Sequence, residues 1–194
     1  MDKKGNQYCK DQFKGLKKWL DDHWGQPGIA FYAFLGCLLT MAIVGTIALL
    51  VRWPLLFPSL GPTVILFFER GQRPAAWPRN TLIAHAIAIV AGWLSLILFG
   101  LMGEPNILAG GITAAHVAAA VFALALTAFT KHLLQAPHPP SGATTMIISL
   151  GFFTTLFQLG VMAIAILLVT IFGWSINRLF GGSMPVWGKG SRSS

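Results

Sequence analysis

A chain of 194 residues that is 55% hydrophobic and only 10% charged is too apolar for an ordinary soluble domain, which carries roughly 25% charged residues. Its formal charge of +8 does not indicate a nucleic-acid partner, because Lys and Arg gather in the N-terminal stretch and in short loops and form no continuous basic face. Cys9 and Cys37 lie far apart, one in a basic head and one in an apolar run, so neither a disulfide framework nor a metal site is indicated and no cofactor is expected.

The head, residues 1–25, has no apolar core of the kind a signal peptide needs, and its acidic residues argue against a transit peptide. Gln7–Asp22 is expected to form a helix with Tyr8, Phe13, Leu16, Trp19 and Leu20 partly on one face. Its lysines would meet anionic headgroups, which describes an amphipathic helix lying at the cytoplasmic membrane interface. Four apolar runs follow, Ile29–Val51, Asn80–Gly100, Gly110–Thr130 and Leu156–Ile176, each near the ~20 residues that cross a ~30 Å hydrocarbon core as a helix. Ala114, Ala115, Ala118 and Ala119 suggest close helix packing. The Gly- and Ser-rich 181–194 stretch is expected to be a disordered tail.

Between the long runs sit two short apolar pieces, Ser59–Glu69 and Ser141–Gly151. At about eleven residues each, a helix would cover roughly 16 Å, half of the hydrocarbon core. Each is preceded by a proline-containing stretch, Trp53–Pro58 and Ala136–Pro140, in which proline removes backbone donors and holds its predecessor extended. Half strand plus half helix is long enough to span where neither is alone. The two pieces align at a shift of 81 residues, and the same shift carries Ala30–Val51 onto Gly111–His132 and Arg79–Gly100 onto Gly160–Gly181. The expected fold is therefore an all-α membrane protein with six crossing segments. They form two inverted three-segment repeats (about 30–101 and about 110–180) within a domain spanning 26–180, each repeat with a Pro-broken half-helix.

Charge placement agrees with that count. With both termini cytoplasmic, thirteen of the fourteen Lys and Arg residues fall inside and Arg52 alone falls outside. Treating the short pieces as surface loops would put Arg70, Arg73 and Arg79 outside, which the positive-inside rule disfavours. The expected setting is a bacterial inner membrane.

In this arrangement both half-helix N-termini arrive near the bilayer midplane, each with unpaired N–H groups and about half a positive charge. Ser59, Thr63, Ser141, Thr144 and Thr145 add hydroxyls, Gly61 and Gly142 let a ligand approach the backbone, and no acidic residue lies at either end. A positive, donor-rich cavity of this kind favours a small anion. His138 is either a cationic partner or pH sensor for that anion, or a residue that orders the proline turn. His85 and His116 lie inside spans, where ionisable groups are functional candidates, although a carbonyl-satisfied histidine is the commoner outcome. Glu69, with Arg70, ends the first half-helix as either a gate or a solvated surface group.

Residues Gln135–Gly142 read Gln-Ala-Pro-His-Pro-Pro-Ser-Gly, followed by Ala143-Thr144. This resembles the signature of the HPP family of integral membrane proteins. Ser59-Leu60-Gly61-Pro62-Thr63-Val64 is similar to that family's first small-residue half-motif, and Pro78-Arg79-Asn80 with His85 is similar to its Pro-Arg-Asn…His element. The resemblance covers about Ala30 to Ile176. Ser141 stands where Ala is expected, and Pro62 where Ala is usual. Members in plastids and cyanobacteria are associated with nitrite transport, so the resemblance implies nitrite or a similar small anion.

The expected function is a transporter or channel for a small monovalent anion in an oligomer embedded in lipid, with Arg79, Asn80, His85 and His116 as possible gating or proton-linked residues. An enzyme would need a nucleophile–base pair or metal-ligand spacing. His85, His116 and His138 fall on separate elements with no acidic partner in a span, so no enzyme is expected. A structural or sensory subunit is the alternative, and it predicts a solid midplane in place of a cavity.

Overall fold

The computed structural model describes residues 15–186, and every regular element among them is helical. In chain order these are α1 (Leu16–Trp24), α2 (Gln26–Val51), α3 (Leu60–Glu69), a 3-10 turn at Pro74–Ala76, α4 (Pro78–Leu98), a single turn α5 (Ile107–Gly110), α6 (Ala114–Leu133), α7 (Ser141–Ser149) and α8 (Leu156–Leu179). Helices α2, α4, α6 and α8 are long and apolar enough to cross a membrane. The shortest has 20 residues, which at ~1.5 Å per residue is ~30 Å. Their outward side chains are those a lipid environment accepts, among them Leu49, Leu50, Val90, Val121, Phe129 and Ile171.

Local chemistry places the ends. Helix α6 begins at Ala114, four residues later than expected, because Gly111 takes a positive φ of 78° and Thr113 caps the helix through its hydroxyl on the His116 amide. Helix α8 starts on a reciprocal box in which Thr155 accepts from the Gln158 amide and the Gln158 side chain accepts from the Thr155 amide. Helices α2 and α6 stop in a shared way. Arg52 and Gln135, both non-glycine residues, adopt positive φ (56° and 49°), and each stands two residues before a proline. The chain then runs to the short helices α3 and α7, of ten and nine residues.

The helices pack in the pairs α4·α6, α4·α7, α6·α7, α2·α8, α3·α8, α2·α3 and α4·α8. Phe67 and Phe68 on α3 anchor one side of the core. Phe68 lies in the gap left by Gly36 of α2, and Phe67 in the gap left by Gly173 of α8, where an added Cβ would come within 2.6 Å of the Phe67 ring. Asn177 of α8 donates to the carbonyl of Phe67 at 2.9 Å, satisfying one of the orphan acceptors at the end of α3.

Helix α1 folds back on α2, with the backbone of Leu20 against Gly28, and the Lys17 amide donates to the Phe180 carbonyl at 2.9 Å. Leu20 is buried while Trp19 and Trp24 are exposed. The part of the expected N-terminal helix at 7–14, and residues 187–194 of the tail expected at 181–194, lie outside the described residues; within the described part of that tail Met184 is buried and its carbonyl accepts from Trp174 at 3.1 Å.

Candidate functional site

The short helices α3 and α7 each deliver a threonine to the same imidazole. Thr63, in the first turn of α3, places Oγ1 3.2 Å from Nε2 of His85, and Thr144, in the first turn of α7, places Oγ1 2.8 Å from its Nδ1. These two threonines stand 81 residues apart, the shift at which the short pieces align. His138, in the extended stretch before α7, faces His85 with Nε2 to Nε2 at 3.2 Å and ring centroids 4.9 Å apart. Thr63 Oγ1 is also 3.2 Å from His138 Nε2. All four side chains are fully buried.

The other face of His138 is tied to the 3-10 turn and α4. Its Nδ1 lies 2.7 Å from the Ala75 carbonyl and 3.3 Å from Thr81 Oγ1, and the Thr81 hydroxyl donates to the Trp77 carbonyl at 3.1 Å. Both contacts of Nδ1 are acceptors, so Nδ1 carries a hydrogen. In the neutral ring Nε2 is then bare.

Behind the histidines, Lys131 from the last turn of α6 reaches the N-terminus of α7. Its ammonium donates to the His138 carbonyl at 3.2 Å and to Ser141 Oγ at 3.1 Å. Ser141 in turn donates to the His138 carbonyl at 2.8 Å, and Thr145 bonds Thr127 of α6 at 2.9 Å. The partners Lys131 does have are neutral, and the helix end beside it is itself positive. Ser59 is buried with its Oγ unpaired among the described residues.

Gly61 and Gly142 are partly exposed, and neither is there to relieve packing: a Cβ on Gly61 would meet nothing within 4 Å, and one on Gly142 would meet only Leu124 at 3.6 Å. Between the two short helices runs an open groove of about 380 Å³ lined by Pro62, Leu66, Pro139, Pro140 and Ala143. Its walls are apolar, while the hydroxyls of Thr63 and Thr144 meet the histidines, that of Ser141 meets the His138 carbonyl and Lys131, and that of Thr145 meets Thr127.

Not every expected residue converges here. His116 sits in the first turn of α6, at the opposite end of that helix from Lys131, where its Nδ1 meets Thr113 Oγ1 at 2.8 Å and its Nε2 is unpaired among the described residues. Glu69 lies at the far end of α3, in a polar basin with Lys17, Arg70, Gln72 and Arg73. Arg79 donates to Asn80 at 3.0 Å, and Asn80 holds the Pro74 carbonyl at 2.8 Å, so this pair braces the turn that supplies the Ala75 acceptor.

Lys131 and Thr81 are absent from the sequence-level site. A lysine in the last turn of a span reads as an interfacial anchor. Only its place seven residues before His138 sets it apart from others of its kind.

A family model described as HPP, transmembrane region, matches residues 23–185. No curated protein and no solved structure matches the chain.

Proposed function

The chain belongs to the HPP transmembrane family and is an integral membrane protein, and on that premise we propose that it carries a small monovalent anion, nitrite first, across the bilayer. One observation carries the anion reading. The Lys131 ammonium lies at the N-terminus of α7, where the helix dipole is already positive, and its partners are a carbonyl and a hydroxyl. Two positive potentials left together in a partly buried setting are unfavourable, and an anion beside them offsets the cost. The open groove lined by Pro62, Leu66, Pro139, Pro140 and Ala143 is a candidate way in, and nitrite is the anion that the family resemblance implies.

Six crossings in two inverted repeats give this site its place in the bilayer. Exchange α2 with α6, α3 with α7 and α4 with α8, and the packed pairs among these six helices map onto themselves: α4·α6 onto α2·α8, α4·α7 onto α3·α8, α6·α7 onto α2·α3, and α4·α8 onto itself. That self-mapping, with the matching left-handed residues two before a proline, supports the repeat. Lys17, Arg70, Arg73, Arg79, Lys131 and Arg178 gather at the α1 end and Arg52 at the other, which supports a cytoplasmic α1 end in a bacterial inner membrane. The apolar flanks are suited to an oligomer.

The test is ion flux in proteoliposomes with nitrite, nitrate, chloride and formate. Lys131→Gln is expected to lower nitrite flux at least tenfold with expression and folding retained. Flux no faster than in protein-free vesicles, or full flux in both Lys131→Gln and Gly142→Leu, defeats the reading. A second reading, a structural or sensory subunit that transports nothing, has one observation in its favour: the threonine hydroxyls are fully buried and bonded to one another and to the histidines, leaving an apolar groove outside. It predicts the first of those two failures. Single cysteines in the 70–79 loop, on a background free of Cys9 and Cys37, test the topology; labelling only from the outside overturns six crossings.

A further inference from the structure

The geometry points to the His85–His138 pair as a binding site for one proton whose occupancy is linked to that of the anion, so that anion and proton occupy and leave the protein together. This rests on the anion reading above for its second ligand.

The hydrogen-bond pattern fixes the capacity of the pair. His138 Nδ1–H is committed to the Ala75 carbonyl and to Thr81, whose own hydrogen goes to Trp77. Neutral His138 therefore presents a bare Nε2 to His85 at 3.2 Å. The Thr63 hydroxyl, 3.2 Å from both Nε2 atoms, gives its hydrogen to the Ser59 carbonyl; two bare nitrogens facing each other would then both be unsatisfied in a buried site, so His85 carries its hydrogen on Nε2 and donates it across the gap. Its Nδ1 is then an acceptor for the Thr144 hydroxyl at 2.8 Å. This state holds two ring hydrogens and leaves no buried ring nitrogen unpaired.

One more proton fits without moving a heavy atom. It binds His85 Nδ1, and the Thr144 hydroxyl, which donated to that nitrogen, rotates so that its oxygen accepts from the new Nδ1–H. The Nε2–H between the rings stays shared. A further proton does not fit, because it would set two N–H groups against each other at 3.2 Å. The pair is a one-proton site, and no third His, Cys, Asp or Glu joins it as a metal ligand among the described residues.

The surroundings explain why the proton would come with an anion. Lys131 of α6 is the charged group at the pair, bonded to the His138 carbonyl. Helices α3 and α7 bring the hydroxyls of Thr63, Ser141 and Thr144, the turn brings the Ala75 carbonyl, and α4 brings the Thr81 hydroxyl, while Arg79 donates to Asn80. A protonated pair thus places a second positive charge next to a first, with no carboxylate in these contacts to offset it. An anion in the groove offsets both, and by reciprocity a loaded proton strengthens anion binding.

Histidine-selective nitrogen NMR of the full chain in lipid nanodiscs tests this without reference to flux. In a titration carried from neutral pH to well below the ordinary histidine range, His85 and His138 should take up one proton per chain in a single joint step, and adding nitrite should move that step to higher pH by at least half a unit. Thr144→Val keeps the side-chain shape but withdraws the oxygen that receives Nδ1–H, so it should abolish the joint step, and Thr144→Ser should restore it. Two independent titrations, two protons taken up, no protonation at all, or a step indifferent to nitrite would overturn the proposal, whatever the flux assay gives. If the joint step shifts with nitrite while vesicles show no flux, the linked site stands and the transport reading falls. If vesicles carry nitrite while the step ignores it, the reverse holds.

Discussion

Gly92→Ala puts the packing under the site to the test. Gly92 faces α7 from α4, and a Cβ there would lie 2.8 Å from Ile148 Cβ, 3.0 Å from Ile148 Cγ2 and 3.2 Å from the Thr145 carbonyl. Carbon atoms settle at about 3.5–4.0 Å, so α7 must withdraw by about 0.7 Å or more. The atoms in the way are a Cβ, its branch methyl and a main-chain oxygen, none of them the far end of a flexible chain. Thr144 rides on the same helix, and its 2.8 Å bond to His85 would stretch to about 3.5 Å, the outer limit for a hydrogen bond. Overpacking a close-fitted interior costs about 1–3 kcal/mol, against which alanine recovers up to about 1 kcal/mol of helix propensity. The mid-range cost less the full propensity gain leaves a net loss of about 1 kcal/mol, which lowers a melting midpoint by roughly 2–4 °C in a chain of this size. Tryptophan fluorescence on the detergent-solubilised protein reads this out, with Gly160→Ala as control, since a Cβ at Gly160 meets nothing within 4 Å. A Gly92→Ala protein that melts with or above the wild type would refute the close approach of α4 and α7 and the site built on it.

Gly61→Ala should leave the melting midpoint unchanged or slightly raised, because its Cβ meets open space and alanine favours helix by up to about 1 kcal/mol. If an anion approaches the α3 backbone, the same variant lowers nitrite flux, and unaltered flux argues that the approach lies elsewhere. Asn177→Ala deprives the Phe67 carbonyl of its 2.9 Å donor and should cost about 1–2 kcal/mol, seen as a lower midpoint.

Much of the helical layout was legible because its causes are local. The four long runs announce themselves by length and apolarity, and Pro54, Pro58, Pro137, Pro139 and Pro140 mark where regular structure must break. The start of α6 was misplaced by four residues because the expectation followed apolarity alone, while Gly111 and Thr113 decide the boundary by dihedral angle and capping. The site was legible only as a set of residue types. Thr63, Thr144 and His138 converge, but the contact between His85 and His138 joins residues 53 apart in the chain, and no spacing rule reaches across three helices. Ser141 and Lys131 show the same limit. A serine at a helix start promises a donor to whatever lies outside, and here it turns inward to a carbonyl and a lysine.

The packing pairs are symmetric in space but not in time. When α7 leaves the ribosome, both of its partners, α4 and α6, have already been made. Helix α3 finds α2 waiting, but α8, the second helix packed along it, begins at Leu156, 87 residues after Glu69. At ~5–20 residues per second that gap is on the order of ten seconds. During it the Phe67 ring has no Gly173 to fill and the Phe67 carbonyl no Asn177 to cap it. Too short to hold a bilayer position by apolarity alone, α3 must either wait at the surface or stand half-inserted until the last helix closes over it. A chain that stops before α8 therefore leaves α3 unseated in a way that α7 never is, and this is the interval in which a membrane chaperone or quality-control protease has most to recognise.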